Sequence, residues 1–235
     1  MGLTIYYKLS VAKNHSPDVV QEMVERAAQY ARKIGCAEVS KPLFPFQVPV
    51  FSDLFVHVSK SCFGSVPARA GWLVEVWPGE GCECAHFGLC QYPRQAPYES
   101  SGQTGWVPTG YRRGWLFKGS CKTQYASEHG WEHFLRCHKM ILSILKFWRQ
   151  MGVTVDVNDE GEYWETGSEK KLRDALQGYN GLIAAVAGAF KDAGETSGKG
   201  NSVESPIFAR SDFERLEAQG WQEFGKQLSQ FRLAS

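Results

Sequence analysis

The sequence lacks an excess of charge of either sign. It contains 26 Lys and Arg residues against 25 Asp and Glu residues, for a formal net charge of +1 at pH 7. The cationic residues are also dispersed, and the tightest groups are pairs such as Arg112-Arg113 and Lys170-Lys171. Because binding to nucleic-acid phosphates needs a clear basic patch, we expect no nucleic-acid partner.

Long apolar runs and a secretion signal are also missing. No apolar run reaches the roughly 18 residues that a membrane span needs, so we expect no membrane association. The N-terminus shows neither a positively charged leader nor a long apolar region. Seven cysteines without such a signal predict reduced thiols and a cytoplasmic location, and an odd count does not fit a complete set of disulfides.

The common catalytic signatures are absent as well, since there is no Gly-x-Ser-x-Gly elbow, phosphate-binding loop or Rossmann fingerprint. What the sequence does contain is 43% apolar residues, enough to bury a sizeable core in a chain of 235 residues. Alternating and helical patterns predict strands near residues 3–9, 54–58, 72–77, 115–118 and 153–157 and helices near 17–34, 129–151 and 167–190, the last of which begins at a capping box of Thr166 and Glu169. This succession favours an α+β fold, a ferredoxin-like α/β sandwich with a largely antiparallel sheet.

Residues 1–192 are predicted to form a single domain that includes a flap, and two further segments follow it. Residues 78–114 are rich in Gly, Pro, Ser and Tyr and predict a long flap. Residues 193–206 are typical of a flexible linker. Residues 207–235 predict an amphipathic C-terminal helix, which either folds back on the domain or docks on a protein partner or a second copy as a homodimer.

Four short stretches are distinctive: residues 87–90 (FGLC), 121–127 (CKTQYAS), 134–138 (FLRCH) and 159–165 (DEGEYWE). Together they resemble an uncharacterised group of soluble bacterial proteins of similar size, over about residues 1–192. The resemblance implies a soluble bacterial protein. It implies no activity, cofactor, partner or catalytic residue.

Five of the seven cysteines and four of the six histidines fall between residues 82 and 138. The densest group comprises Cys82, Cys84, His86 and Cys90. Thiolates and imidazole suit zinc, and four such ligands can close a tetrahedral site. The spacing Cys-x-Cys-x-His-x3-Cys lacks the usual Cys-x2-Cys knuckle, however. Zinc is therefore one interpretation, reduced thiols packed in a turn are a second, and a redox or disulfide role is a third.

Two weaker metal patterns occur further along the chain. His129, His133 and Cys137 follow at helical intervals of four, an arrangement in which two side chains can grip a metal. Residues 156–161 imitate the start of a calcium loop, but Gly167 stands where the bidentate Glu is needed. His138 lies on the apolar stripe of the same predicted helix and is expected to be a hydrogen-bonded core residue.

In a ferredoxin-like sheet, helices cover one face, and strand alternation predicts which side chains occupy the other. The residues predicted for the open face are Tyr6, Lys8, Phe55, His57, Glu75, Trp77, Thr154 and Asp156. We expect a small-ligand site there, with His57 and Glu75 as an acid–base pair and with Tyr6, Lys8, Trp77 and Asp156 as binding residues. In the alternative interpretation this face is packed beneath the flap, with Glu75 paired to Lys8.

Cys121, near a strand end, is a candidate nucleophile with a histidine of the long helix as its base. Two function classes therefore remain open. The first is a soluble ligand-binding or protein-interaction protein that uses the open sheet face and the C-terminal helix. The second is a metal-dependent or acid–base enzyme, hydrolase-like, with its site under residues 78–114.

Overall fold

The computed structural model describes residues 3–12, 15–47, 52–59, 62–100 and 103–197, together with residues 207, 213, 215–218 and 220. The chain divides into two compact units. One comprises residues 5–158, and the other combines residues 1–4 with residues 159–235.

Strands and helices mix along the chain. In chain order they are β1 (Thr4–Val11), α1 (Pro17–Lys33), β2 (Glu38–Val39), β3 (Leu54–Ser59), β4 (Cys62–Val66), β5 (Ala70–Trp77), β6 (Ala85–Gln91), β7 (Gln95–Ser100), β8 (Gln103–Pro108), β9 (Trp115–Lys122), α2 (Trp131–Gln150), β10 (Thr154–Asp159), α3 (Tyr163–Thr166) and α4 (Glu169–Ser197). Six of the strands form one sheet in the order β10-β1-β9-β6-β5-β2. The pairs β2–β5, β5–β6 and β6–β9 are antiparallel, which confirms an α+β protein with a largely antiparallel sheet.

Helix α1 begins where the sequence predicts. Ser16 is its N-cap, with Oγ accepting a hydrogen bond from Val19 N at 3.4 Å, and Pro17 follows in the first turn. Its buried stripe packs on β5 and β6. The rings of Tyr30 on α1 and Phe147 on α2 stack at 4.4 Å, so the two helices pack against each other.

Residues 78–114 differ from the predicted flap, because they contain β6 and the β7–β8 hairpin. Strand β6 lies between β5 and β9, and its residues from Ala85 to Cys90 are all buried. A strand buried on both faces shows no polar–apolar alternation, which is why the pattern did not reveal it. Gly88 fits this crowded position, since an added Cβ would clash with the Trp72 carbonyl and lie 2.9 Å from Leu73 Cα.

Strand β3 is formed as predicted, but it is not part of the six-stranded sheet. It pairs antiparallel with β4 in a separate two-stranded sheet, where Leu54 faces Val66. Alternation along one strand shows which residues share a face and not which strand is the neighbour. The predicted open face therefore loses its β3 members, Phe55 and His57.

The unit that contains α4 has its own small apolar cluster. Ile207, Phe213 and Leu216 pack against Ala184 and Ala187 of α4. Helix α4 continues to Ser197, so the first residues of the predicted linker are helical, whereas residues 198–206 lie outside the described residues. Most of the predicted C-terminal helix also lies outside them, and the homodimer stays a prediction. None of the helices in the described ranges combines the length and apolar character needed to cross a lipid bilayer.

Candidate functional site

Glu75 and His86 form a hydrogen-bonded pair on two neighbouring strands. They are direct partners in the antiparallel β5–β6 register, so their side chains leave the sheet on the same face. His86 Nε2 lies 3.1 Å from Glu75 Oε1, and the two side chains are 6% and 35% exposed, respectively. A nearly buried imidazole is thus held against a carboxylate that reaches solvent.

The environment keeps the His86 ring neutral near pH 7. Burial lowers the pKa of His86, and the hydrogen bond and charge of Glu75 oppose that shift without cancelling it. In a neutral imidazole one nitrogen donates and the other accepts, and the carboxylate favours the proton on Nε2. A neutral histidine oriented by a carboxylate is the arrangement that general acid–base chemistry uses.

His86 also lines a cleft of about 610 Å³. The cleft lies between the residues at the start of β3, the turn before β6, and the middle of β9. Its described walls are formed by Asp53, Leu54, Phe55, Glu83, Cys84, His86, Phe117, Lys118, Gly119 and Ser120. This volume is in the range of small-molecule sites, and apolar walls with a few polar groups are typical of them.

Asp53 provides the cleft with a carboxylate that has one unsatisfied oxygen. Its Oδ2 accepts a hydrogen bond from the Ser65 hydroxyl. Its Oδ1 is buried and has no hydrogen-bond partner in the described part of the chain. An unpaired buried acceptor costs on the order of 1–3 kcal/mol.

Three other polar residues, Glu83, Cys84 and Lys118, line the same cleft. Glu83 Oε1 lies 3.3 Å from Lys122 Nζ, which partly balances its charge. Burial, and then the charge of Glu75, raise the pKa of Cys84, which keeps this thiol protonated at neutral pH. Lys118 is exposed at the cleft and carries a positive charge.

Tyr7 holds the backbone at His86 in place. The Tyr7 hydroxyl donates to the His86 carbonyl at 2.7 Å, and its ring stacks on Phe87 with centroids 5.0 Å apart. Gly119 leaves room for this ring, since an added Cβ would lie 2.7 Å from Tyr7 Cε2 and 2.9 Å from Phe117 Cε1. The cleft wall is therefore anchored to the apolar core.

The residues predicted for the open face do not form one site. Lys8 and Asp156 form an exposed ion pair at 3.2 Å on β1 and β10. Glu75 pairs with His86 and not with Lys8, because β1 and β5 are three strand positions apart, or about 14 Å at the usual spacing. The side chain of His57 lies outside the described residues, and its backbone pairs with Phe63 in the β3–β4 hairpin.

The remaining members of that predicted face are also separate. Tyr6 is 47% exposed, and Thr154 is exposed on β10. Trp77, on β5, donates from Nε1 to the Cys82 carbonyl at 3.2 Å. Phe55 is 61% exposed and does line the cleft.

The predicted zinc ligands are not gathered at one point. Cys82 and Cys84 precede β6, whereas His86 and Cys90 are four residues apart on it, which places them about 13 Å apart. One metal ion is too small to span that distance. Within the described ranges, no group of three or more His, Cys, Asp or Glu side chains is placed to hold a metal ion.

The other candidates occupy structural positions. Cys121 is fully buried and its Sγ lies 3.3 Å from the Glu83 carbonyl oxygen. Burial raises the pKa of this thiol well above its ordinary value, which opposes a nucleophilic role. His138 is buried, as expected for a core histidine, and its Nδ1 lies 3.0 Å from Thr123 Oγ1.

The calcium-like turn is held together by its own backbone. The Asp159 carboxylate accepts hydrogen bonds from the backbone N–H groups of Gly161, Tyr163 and Trp164, each at 2.9 Å. A carboxylate used in this way closes the turn that leads into α3. This is the ordinary role of an acidic residue after a strand.

Several residues of the cleft were not singled out from the sequence: Asp53, Leu54, Glu83, Phe117, Lys118, Gly119 and Ser120. The sequence pattern does not reveal β6, and without this strand the site cannot be predicted. A strand at residues 85–91 joined to β5 by a short turn would have placed Glu75 opposite His86. No protein-family model, curated protein sequence or solved structure matches this chain.

Proposed function

We propose that the protein binds a small organic molecule in the cleft beside His86. The observation that carries the proposal is the cleft of about 610 Å³, which is lined by His86, by the carboxylates of Asp53 and Glu83, and by apolar side chains. Apolar walls with a few polar groups bind and orient a small molecule.

The walls indicate the chemistry of the ligand. Leu54, Phe55 and Phe117 provide an apolar and aromatic surface. Asp53 and Glu83 add carboxylate acceptors to the same lining. The matching ligand has an apolar or aromatic part and an amine or hydroxyl group that donates hydrogen bonds.

The test is a screen with three matched sets of probes: aromatic amines, aromatic alcohols and aromatic carboxylates of the same size. Ligand-detected NMR on the full chain measures binding. We expect amines and alcohols to bind and carboxylates to bind at least about tenfold more weakly, because Asp53 and Glu83 repel a negative charge.

Two variants locate the site. Asp53→Asn keeps the shape of the side chain and removes its charge, so bound amines should be lost or weakened about tenfold. Asp156→Asn changes an exposed carboxylate paired with Lys8 and should leave binding unchanged. Equal binding of all three probe sets, or equal effects of both variants, would contradict the proposal.

Acid–base catalysis on the bound molecule is the second candidate function. The specific observation in its favour is the 3.1 Å contact between His86 Nε2 and Glu75 Oε1 beside the cleft. If the pair is catalytic, the protein should convert one of the bound probes. Glu75→Gln should then lower the turnover of that probe about 10²-fold or more while the probe still binds. Unchanged turnover in both Glu75→Gln and His86→Gln would leave binding alone as the function.

We also propose that the sheet is an extended ferredoxin-like arrangement. The support is the spatial order β10-β1-β9-β6. Along the chain, α1 lies between β1 and β6, and α2 lies between β9 and β10. This is the β-α-β-β-α-β succession, with β5 and β2 added at one edge. Membership in the resembled bacterial group and a cytoplasmic location remain proposals.

A further inference from the structure

Strand β9 gives the cleft a positive side chain whose charge is not balanced. Lys118 lies in the middle of β9, is exposed, and forms part of the cleft wall. Within the described ranges, no carboxylate oxygen lies at ion-pair distance from its ammonium group. The apolar part and the hydrogen-bond donor of the proposed ligand make no use of this charge.

The other lysines of β9 and of the neighbouring strand β1 do have partners. Lys122 lies on the same face of β9 as Lys118, because side chains alternate along a strand, and its Nζ is 3.3 Å from Glu83 Oε1. On β1, Lys8 forms the 3.2 Å ion pair with Asp156. Lys118 is therefore the ammonium group in this part of the sheet that can attract an anionic group of a ligand.

Glu83 and Lys118 stand at opposite ends of the β9 wall. Glu83 N donates to the Lys122 carbonyl at 2.9 Å, and Lys122 N donates to Glu83 Oε2 at 3.2 Å, so Glu83 is held beside Lys122. Lys118 lies four residues earlier on the strand, which places its Cα about 13 Å from that of Lys122. An acceptor for an amine and a cation for an acid group are thus separated along one wall.

The wall between these two ends has room for an uncharged body. Gly119 and Ser120 line the cleft there, and both are small and uncharged. Leu54, Phe55 and Phe117 add apolar surface to the same lining. An apolar molecule with a charged group at each end matches this distribution of wall residues.

We propose, building on the proposed function of this cleft, that its ligand carries an amine and an acid group at opposite ends of an apolar body, and that Lys118 binds the acid group. An acid group alone is repelled, because Asp53 and Glu83 give the lining two negative charges against one positive charge. When the acid group is joined to an amine, the amine meets a carboxylate while the acid group meets Lys118. Lys118 then determines which amines the cleft prefers.

The test compares 4-(aminomethyl)benzoic acid with 4-(aminomethyl)benzamide, two probes of nearly the same shape that differ by one negative charge. Titrations followed by ligand-detected NMR on the full chain give the dissociation constant of each probe. We expect the acid to bind about three- to fivefold more tightly than the amide, the effect of an ion pair that remains open to solvent. High salt should remove most of this preference, because dissolved ions screen exposed charges.

Two variants locate the preference. Lys118→Met keeps an apolar stem and removes the ammonium group, so the acid should lose its advantage over the amide. Lys33→Met, at an exposed residue in the last turn of α1 and outside the described cleft lining, should keep the preference of the parent.

An isomer tests the separation of the two charges. 2-(Aminomethyl)benzoic acid has the same charges on adjacent ring carbons, so it cannot reach both ends of the wall and should bind at least about threefold more weakly than the 4-isomer. Equal binding of the acid and the amide, a preference that survives in Lys118→Met, or equal binding of the two isomers would overturn the role of Lys118 and leave the proposed function standing. Binding of neither the acid nor the amide would overturn both.

Discussion

The hydroxyl of Tyr7 on β1 donates a 2.7 Å hydrogen bond to the backbone carbonyl of His86 on β6. Strand β9 lies between these two strands, and the Tyr7 ring passes over Gly119 of β9 to reach its acceptor. The backbone position of His86 thus depends on a residue of the apolar core. This bond connects the packing of the sheet to the geometry of the proposed site.

Removing the Tyr7 hydroxyl should destabilise the protein and make the backbone of the cleft wall at His86 less rigid. We expect Tyr7→Phe to lower the free energy of unfolding by about 1–3 kcal/mol, because it removes a buried hydrogen bond and leaves a buried carbonyl without its donor. Urea denaturation measures the change. Tyr6→Phe, at a side chain that is 47% exposed, should change stability by less than about 0.5 kcal/mol. Equal effects of the two variants would contradict this role of Tyr7.

A methyl group at residue 119 should be poorly tolerated. In Gly119→Ala the new Cβ would lie 2.7 Å from a Tyr7 ring that is stacked and hydrogen-bonded, so it has little freedom to move. We expect a loss of about 1–3 kcal/mol by denaturation. Gly178→Ala, on α4 with no atom within 4 Å of the added Cβ, should instead stabilise the protein by up to about 1 kcal/mol. A neutral Gly119→Ala would show that the ring can shift.

The neutral His86 should make stability depend on pH. Because burial places the pKa of folded His86 below the unfolded value of about 6.5, the unfolded chain takes up the proton first as the pH falls. Its contribution to stability is therefore complete above about pH 6.5 and is lost as the pH falls toward the folded value. In urea titrations from pH 7 to 5, His86→Gln should lose less stability than the parent. A pH dependence of His86→Gln equal to that of the parent would contradict the neutral, buried state of this imidazole.

Substitution of Leu216 tests whether the C-terminal segment packs within its own chain or against a second copy. It is 2% exposed and packs in the cluster that includes Ala184 and Ala187, so Leu216→Ala should cost about 2–5 kcal/mol in that unit. An exposed residue nearby gives the control, since Ala218→Ser should change stability by less than about 1 kcal/mol. If the segment packs within its own chain, the midpoint does not depend on protein concentration. A midpoint that rises with concentration would favour the homodimer instead.

Local signals in the sequence predicted the elements that have one apolar face. The Ser16-Pro17 start of α1 and the alternation of β1 are examples, because a cap and a half-buried strand leave a visible pattern. Strand β6 could not be found in this way, since burial on both faces removes the alternation. The sequence therefore predicts a flap where the structure has this strand.

The candidate site could be predicted only in part for the same reason. The alternation of its strand predicts Glu75 as a site residue, whereas the sequence predicts His86 only as a metal ligand and not as the partner of a carboxylate. Their pairing depends on the register of β5 and β6, which is a contact between strands. Asp53 enters the cleft through the β3–β4 hairpin, whose position relative to the main sheet no local pattern reports.

The connection between β5 and β6 has a consequence for the tolerance of this chain to insertions and deletions. Its length fixes which residue of β6 stands opposite Glu75. A shift of one residue in that register would bring Ala85 or Phe87 opposite Glu75 and turn the imidazole to the other face of the sheet. The length of this turn therefore indicates whether a related protein can form the Glu75–His86 pair. A relative in which residues 78–84 are one residue shorter or longer must either restore the register in another way or lack the pair.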